Sequence, residues 1–190
     1  MKMATHDLVL CALCAAVTSI LAPLSLPLAG EVPISLATFA VLLSGILLGA
    51  KLGGLSQVVY VLLGSVGAPV FAGWTGGIGI TLGVTGGYII GYIPMAFIAG
   101  LLYYRFGRNE SGSRKYAAMI VSMIFATAVL YILGTAWFIA QTKMTLAASL
   151  AACVIPFLPG DLIKIIAVML VAPPIEAALK RAVPAGQGAV

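Results

Sequence analysis

The sequence has few charged residues and a single histidine. Only 8% of its 190 residues are Asp, Glu, Lys or Arg, whereas 62% are hydrophobic. A soluble globular domain has about 25% charged residues, so this composition excludes a soluble fold. It indicates an integral membrane protein with one domain, residues 1–190. The net charge of +5 does not indicate nucleic-acid binding, because the basic residues lie between apolar runs, as membrane orientation requires.

Several catalytic signatures are also missing. The chain lacks the G-x-x-x-x-G-K-[ST] motif, so it cannot itself be a P-loop ATPase. The lone His6 lies near the N-terminus, which argues against His-dependent metal binding or catalysis. The C-x-x-C pair Cys11 and Cys14 has no second pair to complete a site, so it reads as two small apolar residues of a helix. We therefore expect no enzyme activity, no metal and no cofactor.

Apolar runs predict six transmembrane helices. A crossing takes about 20 mostly apolar residues, or fewer where the bilayer is thinned locally. The first run is longer than the apolar core of a signal peptide, so we expect it to be a span. The segment 145–158 has too few residues for a comfortable crossing and is interpreted as re-entrant or interfacial. The predicted spans are approximately residues 8–28, 34–50, 52–67, 84–104, 116–140 and 161–179.

The distribution of basic residues predicts the orientation of these helices. With six spans and the N-terminus inside, one basic residue, Lys143, is external and one, Lys164, is intramembrane. This bias favours both termini in the cytoplasm, whereas a seventh span over residues 145–158 would move the C-terminal basic residues outside. The residues placed inside are Lys2, Lys51, Arg105, Arg108, Arg114, Lys115, Lys180 and Arg181.

Two opposite charges lie in the last apolar run. Asp161 and Lys164 follow the sequence PFLPG, and residues three apart share one face of a helix. The aspartate could simply cap the helix, and the pair could be a self-neutralising bridge that fixes helix packing. Because intramembrane charges usually face a cavity, partner or ligand, the functional interpretation is an outward-facing site. There Lys164 meets a ligand carboxylate, and Asp161 orients the lysine or accepts a ligand N–H.

A glycine-rich region precedes the fourth span. Nine of the 24 residues from 64 to 87 are glycine, and glycine permits close approach of the backbone to a ligand or a helix. Irregular backbone at membrane depth is tolerated where it is buried in protein or lines a cavity. The aromatic residues could form an interfacial belt, but glycines and aromatics together suggest a small, flat, partly apolar ligand. The candidate ligand contacts here are Phe71, Gly73, Trp74, Thr85 and Tyr88.

Small residues recur on the first helix at a spacing of four, including Ala12 and Ala16. Small residues at this spacing allow helices to approach closely in lipid. The face could serve packing within this chain or contact with a partner, and the sequence leaves both interpretations open.

Four segments, in this order and spacing, resemble the BioY family, the biotin-binding S components of energy-coupling factor (ECF) transporters. The resemblance extends over about residues 8–181. The segments are VPISLATFAVLL at 32–43, APVFAG at 68–73, TGGY at 85–88 and PFLPGDLIK at 156–164.

The resemblance implies a six-helix S-component bundle in the bacterial inner membrane that binds biotin with high affinity from outside. It also implies a coupling module, composed of a transmembrane T component and two ABC-type ATPases, with Ala12 and Ala16 matching the motif that docks on the T component. Lys164 would suit the valerate carboxylate, and either Asp161 or backbone carbonyls would suit the ureido N–H groups. The apolar rings of biotin would suit Phe71, Trp74 and Tyr88, although the sequence does not decide which end of biotin meets the charges.

Two positions depart from the family pattern, which often has Gln at Ala37 and Pro at Val84; either change could alter a loop or one polar contact to the ligand. Two other functions remain as alternatives. The first is a self-sufficient biotin carrier that works without the ATPases, and the second is a scaffold protein that has no small ligand.

Overall fold

Apolar runs separated by glycine and proline form a helical bundle. The computed structural model describes residues 5–26 and 34–182. Two residues of β1, Ser25–Leu26, pair antiparallel with β2, Ile34–Ser35, and 3₁₀ turns cover Ala72–Trp74 and Ile155–Phe157. The helices are α1 (Thr5–Leu21), α2 (Ala37–Ser65), α3 (Ile78–Thr81), α4 (Gly86–Phe106), α5 (Gly112–Thr142), α6 (Leu146–Cys153) and α7 (Leu158–Ala182).

Helix α2 is two helices folded against each other. Gly49 has φ 77° and ψ −176°, a conformation that is essentially restricted to glycine. It separates the arms α2a (37–48) and α2b (50–65). The Ser44 Oγ and Gln57 Nε2 atoms are 3.0 Å apart, whereas 13 residues of straight helix span about 20 Å. The reversal confirms the two short predicted helices that meet near Lys51.

The six-helix prediction is confirmed once α2 is counted as two arms. By length and hydropathy, the described residues contain four candidate spans, one of which is the whole of α2, and the 17-residue α1 is a shorter apolar helix. The six long elements are α1, α2a, α2b, α4, α5 and α7. Helix α6 has eight residues and is about 12 Å long, too short to cross a bilayer by itself.

Helices α1 and α2 differ from their predicted bounds. Helix α1 ends at Leu21 instead of residue 28, because a residue that precedes proline avoids the helical conformation and Pro23 follows closely. Helix α2 begins at Ala37 rather than residue 34, since residues 34–35 pair with β1. Residues 27–28, together with Lys2 and Glu31 of the charge count, lie outside the described residues.

The last helix begins earlier than predicted. Helix α7 starts at Leu158, so Pro159 and Gly160 belong to its first turn and do not break the chain. Proline is tolerated there because the first helical N–H groups have no partner within the helix. The interruption lies upstream, in the 3₁₀ turn that ends at Phe157. Asp161 consequently lies in the first turn of α7, where a carboxylate is favoured by the helix dipole.

The end of the bundle remote from Asp161 gathers the basic residues. Near the end of α4, Tyr104 lies against Gly49, and the neighbouring Tyr103 hydroxyl donates to Glu176 at 3.1 Å. Lys115 forms an ion pair with the same carboxylate at 2.7 Å. The segments that meet at this end carry Lys51, Arg105, Arg108, Arg114, Lys115 and Arg181. Their grouping agrees with the orientation predicted from charge.

Replacing Gly49 with alanine tests the reversal of α2. We expect Gly49→Ala to destabilise the protein by about 1–3 kcal/mol, because the added Cβ would also lie 2.9 Å from the Tyr104 ring. The measurement is the melting temperature in detergent. The matched control is Gly54→Ala in α2b, whose Cβ would make ordinary contact with Phe97 at 3.5 Å and should raise stability slightly. Equal melting temperatures for the two variants would contradict the strained reversal.

Candidate functional site

The charged pair of α7 is buried and directly bonded. Asp161 and Lys164 are each 7% exposed, and the Lys164 Nζ donates to Asp161 Oδ1 at 2.9 Å. They lie one helical turn apart, so the backbone of α7 alone brings them together. Burying two charges is costly unless they are paired and hydrogen-bonded, and this pair meets both conditions.

Two hydroxyl groups from other helices complete the pair. At the start of α2a, Thr38 Oγ1 donates to Asp161 Oδ1 at 3.1 Å and accepts from Lys164 Nζ at 2.9 Å. Tyr131, in the middle of α5, donates its hydroxyl to Asp161 Oδ2. The described residues accept two of the three Lys164 hydrogens. Three helices thereby fix the position of one neutral pair.

A small polar recess surrounds this pair. Its volume is about 40 Å³, close to the space of one water molecule or one polar group of a ligand. The lining residues are Ser35, Thr38, Tyr88, Tyr92, Leu130, Tyr131, Cys153, Phe157, Asp161 and Lys164.

A larger cavity adjoins the recess and shares Ser35, Tyr88 and Tyr92 with it. Its volume is about 310 Å³, at the lower end of the range of about 300–1,000 Å³ for small-molecule sites. Six lining residues carry hydroxyl groups, and none of the lining residues is charged. They are Ala22, Ser35, Ala37, Tyr60, Phe71, Ala72, Thr75, Gly79, Ile80, Gly83, Val84, Thr85, Tyr88, Ile89 and Tyr92.

Packing between helices holds the aromatic walls of this main cavity. The rings of Tyr60 and Phe71 meet edge to face with centroids 5.6 Å apart, a favourable geometry for aromatic pairs. Tyr88 packs against Gly134 so closely that a Cβ there would lie 2.4 Å from its ring. The Tyr88 hydroxyl is 3.1 Å from Thr135 Oγ1. These contacts present flat apolar surfaces to the cavity with few alternative side-chain positions.

Helix α5 also fixes the glycine-rich wall. Trp137 Nε1 donates to the Gly83 carbonyl at 2.9 Å, and Gln141 Nε2 donates to the Leu82 carbonyl at 3.1 Å. Both bonds hold the segment between α3 and α4, which contributes Gly83, Val84 and Thr85 to the lining. An irregular segment is thus held in place by side chains of a neighbouring long helix.

The candidate residues from the sequence fall into two groups. Asp161 and Lys164 line the recess, Phe71 and Thr85 line the main cavity, and Tyr88 lines both. Gly73 and Trp74 line neither. Trp74 is 63% exposed, and both residues have positive φ in the turn between Ala72 and Thr75. This turn places the flanking residues, rather than Trp74 itself, against the cavity.

The structure also shows where the small residues of α1 and the two departures from the family pattern lie. Ala12 and Ala16 are exposed, while Cys11, Ala15 and Thr18 are buried. Packing within this chain therefore does not account for the Ala12 and Ala16 spacing. Ala37 and Val84 both line the main cavity, so each departure changes a wall of that cavity.

Sequence reasoning missed six hydroxyl-bearing residues that line the two spaces: Ser35, Thr38, Tyr60, Thr75, Tyr92 and Tyr131. Tyr131 could have been singled out, because a buried phenol within an apolar span requires a hydrogen-bond partner. Thr38 gave no comparable signal, since a threonine in a helix often bonds its own backbone. Among residues 5–26 and 34–182, no three His, Cys, Asp or Glu side chains come together as a metal site would require.

Comparisons with known proteins agree with this architecture. The BioY family model matches residues 1–181. A "Probable biotin transporter BioY" of Pyrococcus horikoshii is 38% identical over 170 residues, which cover 90% of this chain and 96% of the relative. A "Biotin transporter BioY" of Rhodobacter capsulatus is 35% identical, covering 78% of this chain and 80% of the relative.

A solved structure has the same fold. It is a crystal structure of "the S-component for biotin from an ECF-type ABC transporter", with a TM-score of 0.82 and 27% identity. The match covers 93% of this chain and 95% of that one. Together with the apolar helices, the match describes a multi-pass membrane protein with the fold of an ECF S component. Because the family model extends over nearly the whole sequence, the chain belongs to the BioY family.

Proposed function

We propose that the protein captures biotin at the outer face of a bacterial plasma membrane, as the substrate-binding subunit of an ECF-type vitamin transporter. The observation that carries the proposal is the joining of two spaces. An uncharged cavity of about 310 Å³ with aromatic walls adjoins a recess that contains a buried ion pair. A ligand that suits both has apolar rings and a compact polar group, as biotin does, and relatives of this chain are named biotin transporters.

Electrostatics favours the ureido end of biotin in the recess. Asp161 already neutralises Lys164 at 2.9 Å, so a ligand carboxylate there would leave one net negative charge buried, which is costly. The ureido group is neutral and offers both N–H donors and a carbonyl acceptor. Asp161 can accept from the N–H groups, and the remaining Lys164 hydrogen can reach the carbonyl. In this arrangement the valerate chain lies in the main cavity with its carboxylate toward the mouth.

Release of the ligand into the cell is expected to require a partner protein. Below the two spaces, the core is filled by fully buried side chains, among them Met95, Met119, Met123 and Val168. Interiors packed in this way transmit force but offer no passage without rearrangement. A subunit that binds at nanomolar affinity gains about 12 kcal/mol, and release requires an energy source. We therefore propose a T component, which docks on the exposed Ala12 and Ala16 face of α1, and two ABC-type ATPases.

The first test of the site removes the lysine. We expect Lys164→Ala to weaken biotin binding at least tenfold, or by about 1.4 kcal/mol, because Asp161 is then buried without its counter-charge. Calorimetric titration of the purified protein in detergent measures the change. Lys143→Ala is the matched control, since Lys143 is exposed just after α5 and should leave affinity unchanged. Unchanged affinity in a folded Lys164→Ala protein would remove Lys164 from the site.

Biotin analogues test the orientation of the ligand. The methyl ester, which removes the carboxylate charge, should bind within about tenfold of biotin. By contrast, 2-iminobiotin places a cation beside Lys164 at neutral pH and should bind at least tenfold more weakly, a change of about 1.4 kcal/mol. Competition with radiolabelled biotin ranks the three. The reverse ranking, with the ester weak and the imine tight, would put the carboxylate in the recess.

Uptake experiments separate the transporter subunit from the self-sufficient carrier. Cells that produce this chain with a T component and two ATPases should accumulate radiolabelled biotin, and uptake should fall to background when the ATPases carry inactive nucleotide sites. Uptake that persists without the ATPases and depends on an ion gradient would instead support the carrier, although the filled core disfavours it.

A further inference from the structure

A second buried polar cluster lies beside the ligand site and has no part in the ion pair. Gln57 of α2b is fully buried, and its Nε2 lies 3.3 Å from Thr18 Oγ1 of α1, 3.0 Å from Ser44 Oγ of α2a and 3.1 Å from Ser56 Oγ. One amide therefore joins three helical segments, α1, α2a and α2b.

The hydrogen bonds of this cluster are incomplete. Thr18, Ser44 and Ser56 each donate their hydroxyl proton to a carbonyl of their own helix, so they meet the Gln57 amide as acceptors. The two amide hydrogens are shared among three oxygens. Gln57 Oε1 has no hydrogen-bond partner within the described chain. A buried acceptor without a partner destabilises a fold, so an apolar side chain of the same shape would serve packing better.

Each segment that the amide joins continues into the wall of the main cavity. One turn after Thr18, Ala22 lines the cavity; one turn after Gln57, Tyr60 lines it; and α2a, which carries Ser44, begins at the lining residue Ala37. The cluster thus lies directly below the wall. Buried amides with an unpaired oxygen are uncommon. Packing alone does not explain why one lies at this position.

The contact between Thr18 and Gln57 lies in the main interface of helix α1. This helix packs chiefly against α2, and the Thr18–Gln57 hydrogen bond links the two. Just beyond the end of α1, the Pro23 carbonyl accepts from the Gly73 N–H at 3.2 Å. That bond connects α1 to the turn whose neighbours, Ala72 and Thr75, line the cavity.

We propose that Gln57 is a positioning residue that fixes α1 against the ligand cavity, so that α1 and the cavity wall move as one body. Binding in the cavity then restrains α1, and a shift of α1 opens the wall. The coupling to ligand rests on the proposed biotin site, whereas the hold of Gln57 on α1 does not.

The test replaces Gln57 with methionine, which has a similar shape and removes both the donor and the unpaired acceptor. We expect Gln57→Met to keep or raise the melting temperature of the ligand-free protein, yet to weaken biotin binding at least fivefold, mainly through faster dissociation. If Gln57 served stability alone, the melting temperature would fall and the dissociation rate would stay unchanged. Ser122→Ala is the control, because among the described residues this buried hydroxyl bonds the Ala118 carbonyl of its own helix, α5.

The rate of Cys11 alkylation measures the hold of Gln57 on α1 and can be determined without ligand. Cys11 lies on the buried face of α1, and its alkylation by a maleimide, followed by mass spectrometry, reports how firmly α1 is seated on α2. We expect alkylation to be at least fivefold faster in Gln57→Met, and biotin to slow it in the unaltered protein. Thr18→Val, which removes the α1 side of the contact, should act in the same direction, and the two changes together should add little further effect.

The outcomes separate the two proposals. If the unaltered protein binds no biotin, the proposed function fails, and Cys11 alkylation still decides the role of Gln57. If biotin binds but Gln57→Met and Thr18→Val match the unaltered protein in alkylation and dissociation, the positioning role is overturned. If Gln57→Met does not fold, Thr18→Val decides by the same two measurements.

Discussion

The buried ion pair between Asp161 and Lys164 is the constraint on which the rest of the site depends. Removing one partner of a buried pair leaves an uncompensated charge and typically costs about 3–5 kcal/mol. The pair is retained in an apolar protein because Thr38 and Tyr131 satisfy its remaining hydrogen-bonding capacity. Those contacts fix the outer parts of α2a, α5 and α7 relative to one another. The main cavity is the space that remains beside them.

Apolar side chains gain little free energy when they move from lipid into a protein interior, because both surroundings are apolar. Close packing and polar contacts therefore determine where helices meet. The glycines in this chain provide the close packing, as at Gly49, where α2 reverses, and at Gly134, which seats the Tyr88 ring. Polar contacts supply the remaining specificity. The ion pair joins three segments on one side of the cavity, and the Gln57 cluster joins three on the other. Both sets of contacts include α2a, so the cavity lies between two polar clusters that share one helical arm.

Much of this arrangement could be predicted from the sequence, because membrane helices and intramembrane charges leave strong signals. The six spans, the reversal near Lys51 and the adjacency of Asp161 and Lys164 follow from hydropathy and helical spacing. The end of α1 and the start of α7 did not, since prolines act differently before a helix end and within a first turn. The sequence also did not show which aromatic residues of the glycine-rich segment point toward the cavity. Phe71 faces the cavity and Trp74 faces outward because of backbone turns that a sequence pattern does not specify.

The positions of the charged residues also indicate which part of the molecule can move. Helix α7 is held near one end by Lys164 and near the other by Glu176, which pairs with Lys115 of α5. A tilt of α7 would break at least one of these two ion pairs, and separating paired charges away from water is costly. Helix α1 is joined to α2 by the hydrogen bond between the neutral side chains of Thr18 and Gln57. Opening by α1 and the turn that follows Phe71 would break the Thr18–Gln57 and Pro23–Gly73 hydrogen bonds between neutral groups. The helix that presents Ala12 and Ala16 would then link the proposed T component to the cavity.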